Sequence, residues 1–405
     1  MAAKHSGAKC GGFILCAAPA PCPERSTRMI WLLSLSLLAY AWVVLRRLVA
    51  WVRMAATAVP ENYTPVTAIS VIVPVRNEAA NIVALLQDLE AQTYSKELYE
   101  VLVIDDHSTD ETLQLIHQYK LGSTMSLNVL ELDRVAGISM KKGAVKYGVE
   151  QAGGELLVLT DGDCRVGPEW LKQYAYTYET KQPYFISGPV SFQHTHTMFD
   201  KMQLVEFASL IGIGGGSLAL NRPNMCNGAN LAYPKFIFEQ VGGFAGNDGI
   251  ASGDDEFLLH KIHQQYPGKA IFLKNTKAIV YTDVRKTLIS FLSQRVRWAS
   301  KWRAYQSINV QLVALTVFVV NFLLFLSIPL LLFGHLPLLV FAAAYFIKFV
   351  IDFLFLERIL GFLNKRGYIW HMLPLQLVYV PYVVLTGIGG LFGRYRWKGR
   401  SIRNS

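Results

Sequence analysis

The sequence predicts an α/β protein: a mostly parallel sheet flanked by helices, set between N-terminal and C-terminal transmembrane helices. Short β-branched runs alternate with helical stripes after residue 66. Two of those runs end in paired aspartates. Apolar stretches of about twenty residues lie on both sides of this region, each long enough to cross a bilayer.

With 52% apolar and only 17% charged residues, and a mean hydropathy of +0.29, the 405-residue chain is too apolar for an ordinary soluble enzyme. The formal charge of +10 would suit nucleic acid, but the basic residues gather beside the apolar segments, at 285–303 and 394–403. There they read as cytoplasmic contacts to anionic lipid, and no nucleic-acid partner is expected. Cys10, Cys16 and Cys22 crowd an irregular stretch and Cys164 and Cys226 stand far apart, so neither a disulfide framework nor a zinc spacing emerges. A reducing compartment fits.

Residues 1–28 mix Ala, Gly, Pro and Cys without a period and read as an irregular extension, with Met29 as the expected start. Residues 29–52 form a transmembrane helix without an acidic residue, and Arg46, Arg47 and Arg53 at its end put the next domain in the cytoplasm. Residues 66–284 are expected to form that α/β domain. Its first strand is 68–75, after which Asn77 can cap a helix carrying Ile82, Leu85, Leu86 and Leu89 on one face. Further strands are expected at 100–104, ending in Asp105-Asp106, at 128–132, and at 156–160, ending in Asp161-Gly162-Asp163. The carboxyl ends of such strands are where open α/β sheets bind ligands.

Each acidic cluster has a structural reading beside the functional one. Ser108 with Glu111 makes a capping box, and so does Ser252 with Asp255. Capping does not account for Asp105-Asp106, two adjacent carboxylates at the end of a buried strand that repel unless something cationic or hydrogen-bonding meets them. Asp161 and Asp163 are hard oxygen ligands at a spacing that suits Mg2+ or Mn2+, with a glycine between them that permits close approach. Among Asp254, Asp255 and Glu256, Asp255 is the candidate general base. Residues 285–306 read as a basic amphipathic interfacial helix carrying Gln294, Arg297 and Trp298, residue types that hold a diphosphate and stack on a flat polar ring.

Together these residues resemble the family-2 glycosyltransferases of GT-A type fold, the membrane-bound branch that includes cellulose, hyaluronan and chitin synthases and ceramide glucosyltransferase. The resemblance covers residues 66–300. It rests on Val73-Pro74-Val75-Arg76-Asn77-Glu78, Ile104-Asp105-Asp106-His107-Ser108-Thr109-Asp110, Asp161-Gly162-Asp163, Asn227-Gly228-Ala229-Asn230-Leu231-Ala232-Tyr233, Gly253-Asp254-Asp255-Glu256 and Gln294-Arg295-Val296-Arg297-Trp298. It implies that Glu78 and Asp106 lie near the base and ribose of a nucleotide-diphosphate sugar, the donor, with UDP the expected carrier. It further implies that Asp161 and Asp163 hold the metal and diphosphate, that Lys142 binds donor, that Asp255 is the catalytic base, and that Gln294, Arg297 and Trp298 line the acceptor and diphosphate site. His107 stands where the family usually has glycine and Asp254 where it often has glutamate; His107 reads as a loop histidine rather than a metal ligand.

Gly212 to Gly216 resembles a phosphate loop but follows an apolar helix rather than a strand, and reads as a flexible turn near the membrane. His194 and His196 read as part of a loop without chemistry. Within 308–392, two or three transmembrane helices are expected, at about 308–333, 336–356 and 369–392, with Lys348 and Asp352 able to pair on one face. Three crossings would leave the basic tail 393–405 outside, against the positive-inside bias, unless one segment is re-entrant or interfacial. Roughly four helices are too few for one chain to surround a growing polymer, so what the resemblance implies narrows to a non-processive, integral cell-membrane enzyme of the cell envelope that glycosylates a hydroxyl of a lipid, lipid-linked or glycan acceptor. A processive polysaccharide synthase and a non-catalytic membrane nucleotide-sugar-binding protein are the alternatives.

Overall fold

The computed structural model describes residues 23–132, 141–246, 253–301, 307–391, 394–397 and 400–403. An apolar helix, α1 (Pro23–Arg53), precedes β1 (Ile69–Val75), α2 (Ile82–Glu90), β2 (Tyr99–Asp105), α3 (Thr112–Gly122), β3 (Ser126–Glu131), α4 (Lys141–Gln151), β4 (Leu156–Leu159) and α5 (Trp170–Lys181). Then come β5 (Phe185–Ser187), β6 (Val190–Phe192), α6 (Met198–Ala219), β7 (Leu231–Pro234), α7 (Lys235–Gln240), α8 (Asp254–Gln265), β8 (Ala270–Phe272), β9 (Val280–Thr282) and α9 (Leu288–Ala299). Three further helices, α10 (Ile308–Leu332), α11 (Leu338–Phe362) and α12 (Met372–Leu391), lead to an antiparallel pair, β10 (Arg394–Trp397) and β11 (Arg400–Arg403).

The main sheet runs β3-β2-β1-β4-β7-β5-β8, parallel except where β7 enters against β4 and β5. Each of the four strands expected between residues 68 and 160 is present, with ends shifted by one or two residues. β1 and β4 are buried almost throughout, which is why they are written as continuous apolar runs rather than alternating ones. Register then positions the site. Val75 pairs with Asp105, Ile72 with Leu159, and Leu159 with Leu231 across the antiparallel step. The residues following β1, β2 and β4 and those preceding β7 therefore meet at one edge of the sheet.

Several expected helix starts differ. Asn77 does not cap α2: it has φ +52°, its Oδ1 accepts from the Thr109 N–H at 2.8 Å, and α2 begins only after Asn81. Ser108 accepts from the Asn77 N–H at 2.9 Å instead of capping α3, and Asp110 accepts from the Thr112 N–H at 3.1 Å. These side chains tie the β1 and β2 loops to each other. Gly253 precedes α8 with φ +91°, and the expected cap at Ser252 lies outside the described residues.

Among the described residues, five helices, α1, α6, α10, α11 and the stretch containing α12, are long and apolar enough to cross a membrane, against the three or four expected from the sequence. The addition is α6, and Gly212 to Gly216 form part of it rather than a turn. Glycine weakens an isolated helix by about 1 kcal/mol per residue, but here it permits close packing. A Cβ on Gly215 would lie 2.6 Å from the Trp51 ring, one on Gly216 2.8 Å from the Arg47 carbonyl oxygen, and one on Gly212 2.5 Å from Ile359. On α1, α11 and α12, Trp31, Leu38, Leu339 and Leu377 are widely exposed, as suits a surface facing hydrocarbon. Inside the bundle, Asp352 accepts from Tyr40, Lys348 and Gln376, so the expected Lys348–Asp352 pair is formed and joins α1, α11 and α12.

Candidate active site

The ends of β1 and β2 bring Arg76, Glu78 and Asp106 to a cleft of about 220 Å3, and the end of β4 brings Asp161 and Asp163. The first turn of α8 adds Asp254 and Asp255, and α9 adds Gln294, Arg297 and Trp298. Of the residues expected at the site, only Lys142 is absent from this lining. Its neighbour Lys141 is there, with its ammonium on the Asp161 carboxylate. Adjacent residues in a helix point about 100° apart, so the sequence locates the lysine pair but does not choose between its members.

The turn after β4 depends on Gly162, where a Cβ would approach Val75 to 2.9 Å and Glu78 to 3.1 Å. Across the cleft, a Cβ on Gly228 would come within 3.1 Å of an Asp255 oxygen and 3.3 Å of the Lys141 nitrogen. Glycine at these two positions keeps the space between the carboxylates open. Burial disfavours the Lys141 ammonium, yet Asp161, Asp254 and Asp255 outweigh burial and raise its pKa above the ordinary lysine value. Burial raises the Asp254 carboxyl, with Lys141 opposing and Asp255 adding to the rise. Neighbouring acids therefore hold unequal environments in a cleft where, among the described residues, seven carboxylates meet five lysine and arginine side chains.

Behind Asp106, its main-chain oxygen accepts from Arg76 at 2.5 Å, and its carboxylate lies 3.1 Å from His107 Nδ1. His107 has φ +58°, the left-handed region that costs a side-chain-bearing residue about 1 kcal/mol and glycine almost nothing. Asn230 is fully buried and knits the domain together: its Oδ1 accepts from Trp170 and Tyr174, and its amide donates to the Pro189 and Ala278 carbonyls.

Asp161 and Asp163 present hard oxygens to the same space that Lys141 occupies with positive charge. Among the described residues, no three His, Cys, Asp or Glu side chains form a metal cage. That donor set fits a small divalent cation whose remaining positions are filled by phosphate and water.

A second cavity, of about 610 Å3, lies between the apolar helices. It shares Phe207, Asn227, Asp255, Trp298 and Lys301 with the cleft. At this junction Arg295, to which no sequence motif gives a role, makes a buried ion pair with Glu206 of α6 and lies 4.2 Å from the centre of the Trp298 ring. Glu206 also accepts from Tyr382 of α12 at 3.1 Å. One indole face is therefore occupied by guanidinium.

Residues 70–242 match the family described as Glycosyl transferase family 2. The chain carries a family-2 glycosyltransferase domain. It is 31% identical to glycosyltransferase AglE of Haloferax volcanii over 194 residues, 46% of this chain and 58% of that one. It is 25% identical to the poly-beta-1,6-N-acetyl-D-glucosamine synthase of Staphylococcus epidermidis over 245 residues, 60% of this chain and 56% of that one. The chain thus spans a little over half the length of these two relatives. The fold is shared with mannosyltransferase PcManGT of Pyrobaculum calidifontis, solved with GDP-Man and Mn2+, at a TM-score of 0.54 and 19% identity, covering 87% of this chain and 97% of that one. The mostly parallel sheet with its flanking helices is the GT-A arrangement.

Proposed function

We propose that this protein is an inverting glycosyltransferase that moves a sugar from a nucleotide-diphosphate sugar, with UDP the expected carrier, to a hydroxyl of a lipid or lipid-linked acceptor at the membrane. The observation carrying this reading is that Asp106, Asp161, Asp163, Asp255 and Trp298 line one cleft, while Asp255 and Trp298 also wall an apolar cavity.

In this reading Glu78 and Asp106 receive the nucleoside, Lys141 and Arg297 face the diphosphate, and Asp255 takes the proton of the acceptor hydroxyl. The acceptor oxygen bonds to the anomeric carbon as the bond from that carbon to the diphosphate oxygen breaks, its electron pair leaving with the nucleoside diphosphate. A Mg2+ or Mn2+ ion held by Asp161 and Asp163 would supply Lewis-acid stabilisation of that leaving group, worth several kcal/mol. Trp298 and Gln294 position the acceptor.

The arrangement of α12 supports a cytoplasmic catalytic domain in an integral membrane protein. Just before α12, Thr195 donates to the Tyr368 hydroxyl at 3.1 Å, and near its end Gly390 packs on Ala299 and Ser300 of the α9 region. A helix held to the catalytic domain at both ends returns its tail to the side it started from. The end of α12, from which the basic tail leaves, then lies on the side of Arg46, Arg47 and Arg53, as the positive-inside bias asks.

The test is to incubate the protein in membranes with labelled UDP- and GDP-sugars and Mn2+ and to trace label into the lipid fraction. One sugar per acceptor is expected; a long polymer would favour the processive synthase, and absence of transfer with every donor would favour a binding protein. Asp163→Ala should weaken nucleotide binding about tenfold in the presence of Mn2+ and little in its absence.

A further inference from the structure

The membrane-side cavity differs from the cleft in ways that bear on which acceptor it takes, an inference that rests on the transferase function proposed for the cleft. Its lining is mostly apolar. Ala314 and Leu315 of α10 and Leu391 of α12 line it and are themselves exposed, so it opens sideways towards the bilayer. The cations in its lining are already matched: Arg295 pairs with Glu206, and Lys301 with Glu256 at 3.2 Å. Asp352, deeper in the bundle, is matched by Lys348, and Asp255 adds a further carboxylate. Among the described residues, the cavity offers a phosphate headgroup no cation that lacks a carboxylate partner, and its own charge would repel one.

Two more observations point to a neutral alcohol. Asn224 is buried in the cavity wall and its side-chain oxygen has no hydrogen-bond partner. A buried acceptor left unsatisfied costs about 1–3 kcal/mol, which an O–H or N–H of a ligand would relieve. In addition, a phosphate monoester is already ionised at neutral pH, whereas an alcohol needs a base before it can attack, and Asp255 stands where cavity and cleft meet.

We propose that the cavity between α1, α6, α10, α11 and α12 takes the hydrocarbon chain of a neutral lipid alcohol, presents its hydroxyl to Asp255, and selects against lipid phosphates, with Asn224 receiving a hydrogen-bond donor of the same headgroup. The occupant enters laterally past Ala314.

The test uses the full chain in nanodiscs and two photoreactive probes, hexadecanol and hexadecyl phosphate, each bearing a diazirine in mid-chain, with labelled peptides located by mass spectrometry. The alcohol should label cavity-facing peptides of α10 and α12, with excess unlabelled hexadecanol suppressing this and hexadecyl phosphate failing to do so. Ala314→Trp should abolish that labelling and leave Mn2+-dependent UDP binding intact, which shows that the fold has survived. Asn224→Leu should weaken competition by hexadecane-1,2-diol, which carries a second O–H donor, about tenfold and leave competition by hexadecanol nearly unchanged. Equal or stronger labelling by the phosphate probe, or labelling indifferent to Ala314→Trp, would overturn the proposal. Because the readout needs no turnover, a lack of sugar transfer would count against the transferase function and leave this result to stand separately.

Discussion

The donor cleft and the membrane-side cavity share five wall residues yet are built on opposite plans. The cleft gathers carboxylates and cations together, on loops that leave the edge of a sheet and on the helices that face them. The cavity is an apolar space in which each lining cation is tied to an acid. Carboxylates suit a metal and the cations beside them suit a diphosphate, whereas a space for a lipid must hide its charges. Asp255 and Trp298 line both spaces, so under the proposed function they sit at a boundary between two solvents and transfer depends on keeping both sides intact.

Asp255→Asn strikes that boundary hardest. Transfer should fall by about a hundred- to ten-thousandfold while nucleotide-sugar binding is retained; titration calorimetry beside a turnover assay separates the two, and retained turnover would assign the base elsewhere. Next comes the junction itself. Removing the guanidinium in Arg295→Met leaves Glu206 buried without its cation and should cost about 3–5 kcal/mol of stability, measured as a lowered unfolding midpoint in detergent. The paired change Arg295→Met with Glu206→Leu should recover most of that loss, and no recovery would mean that the ion pair is not what joins α9 to α6.

A smaller effect concerns α8, whose first turn carries Asp255. Burial, aided by neighbouring His263, lowers the His260 pKa from 6.5 to about 4. The unfolded chain thus binds this proton before the folded one does. The associated stability is complete above pH 6.5 and is lost as pH falls from there towards 4, by about 3 kcal/mol in all. His260→Gln should flatten the unfolding midpoint between pH 6.5 and 4, and an unchanged slope would place the proton uptake elsewhere. Smallest of all, His107→Gly should leave stability within about 1 kcal/mol of the parent or above it, since glycine accepts φ +58° without strain.

The two sides also differ in how far the sequence discloses them. The donor side is written in short contiguous motifs at strand ends, so the first four strands and the positions of Asp106, Asp161, Asp163 and Asp255 at their ends or at a helix start are readable from local patterns, whereas β5 to β9 are too short to stand out. The membrane side is governed by long-range contacts. Gly212 to Gly216 reads as a turn because nothing nearby reveals that Trp51 and Ile359 will press against it. Arg295 reads as one more basic residue on an amphipathic helix because its partner, Glu206, is 89 positions away. Even on the donor side, hydrogen bonding between the β1 and β2 loops overrides the local capping signals at Asn77 and Ser108.

Whether cleft and cavity join at Asp255 is decided by a structure of the full chain with Mn2+ and a non-hydrolysable UDP-sugar. The nucleotide is expected beside Glu78 and Asp106, the diphosphate between Asp163 and Arg297, and the anomeric carbon facing Asp255 at the wall it shares with the apolar cavity. A donor whose sugar points away from Asp255, or a nucleotide bound outside this cleft, would refute that arrangement.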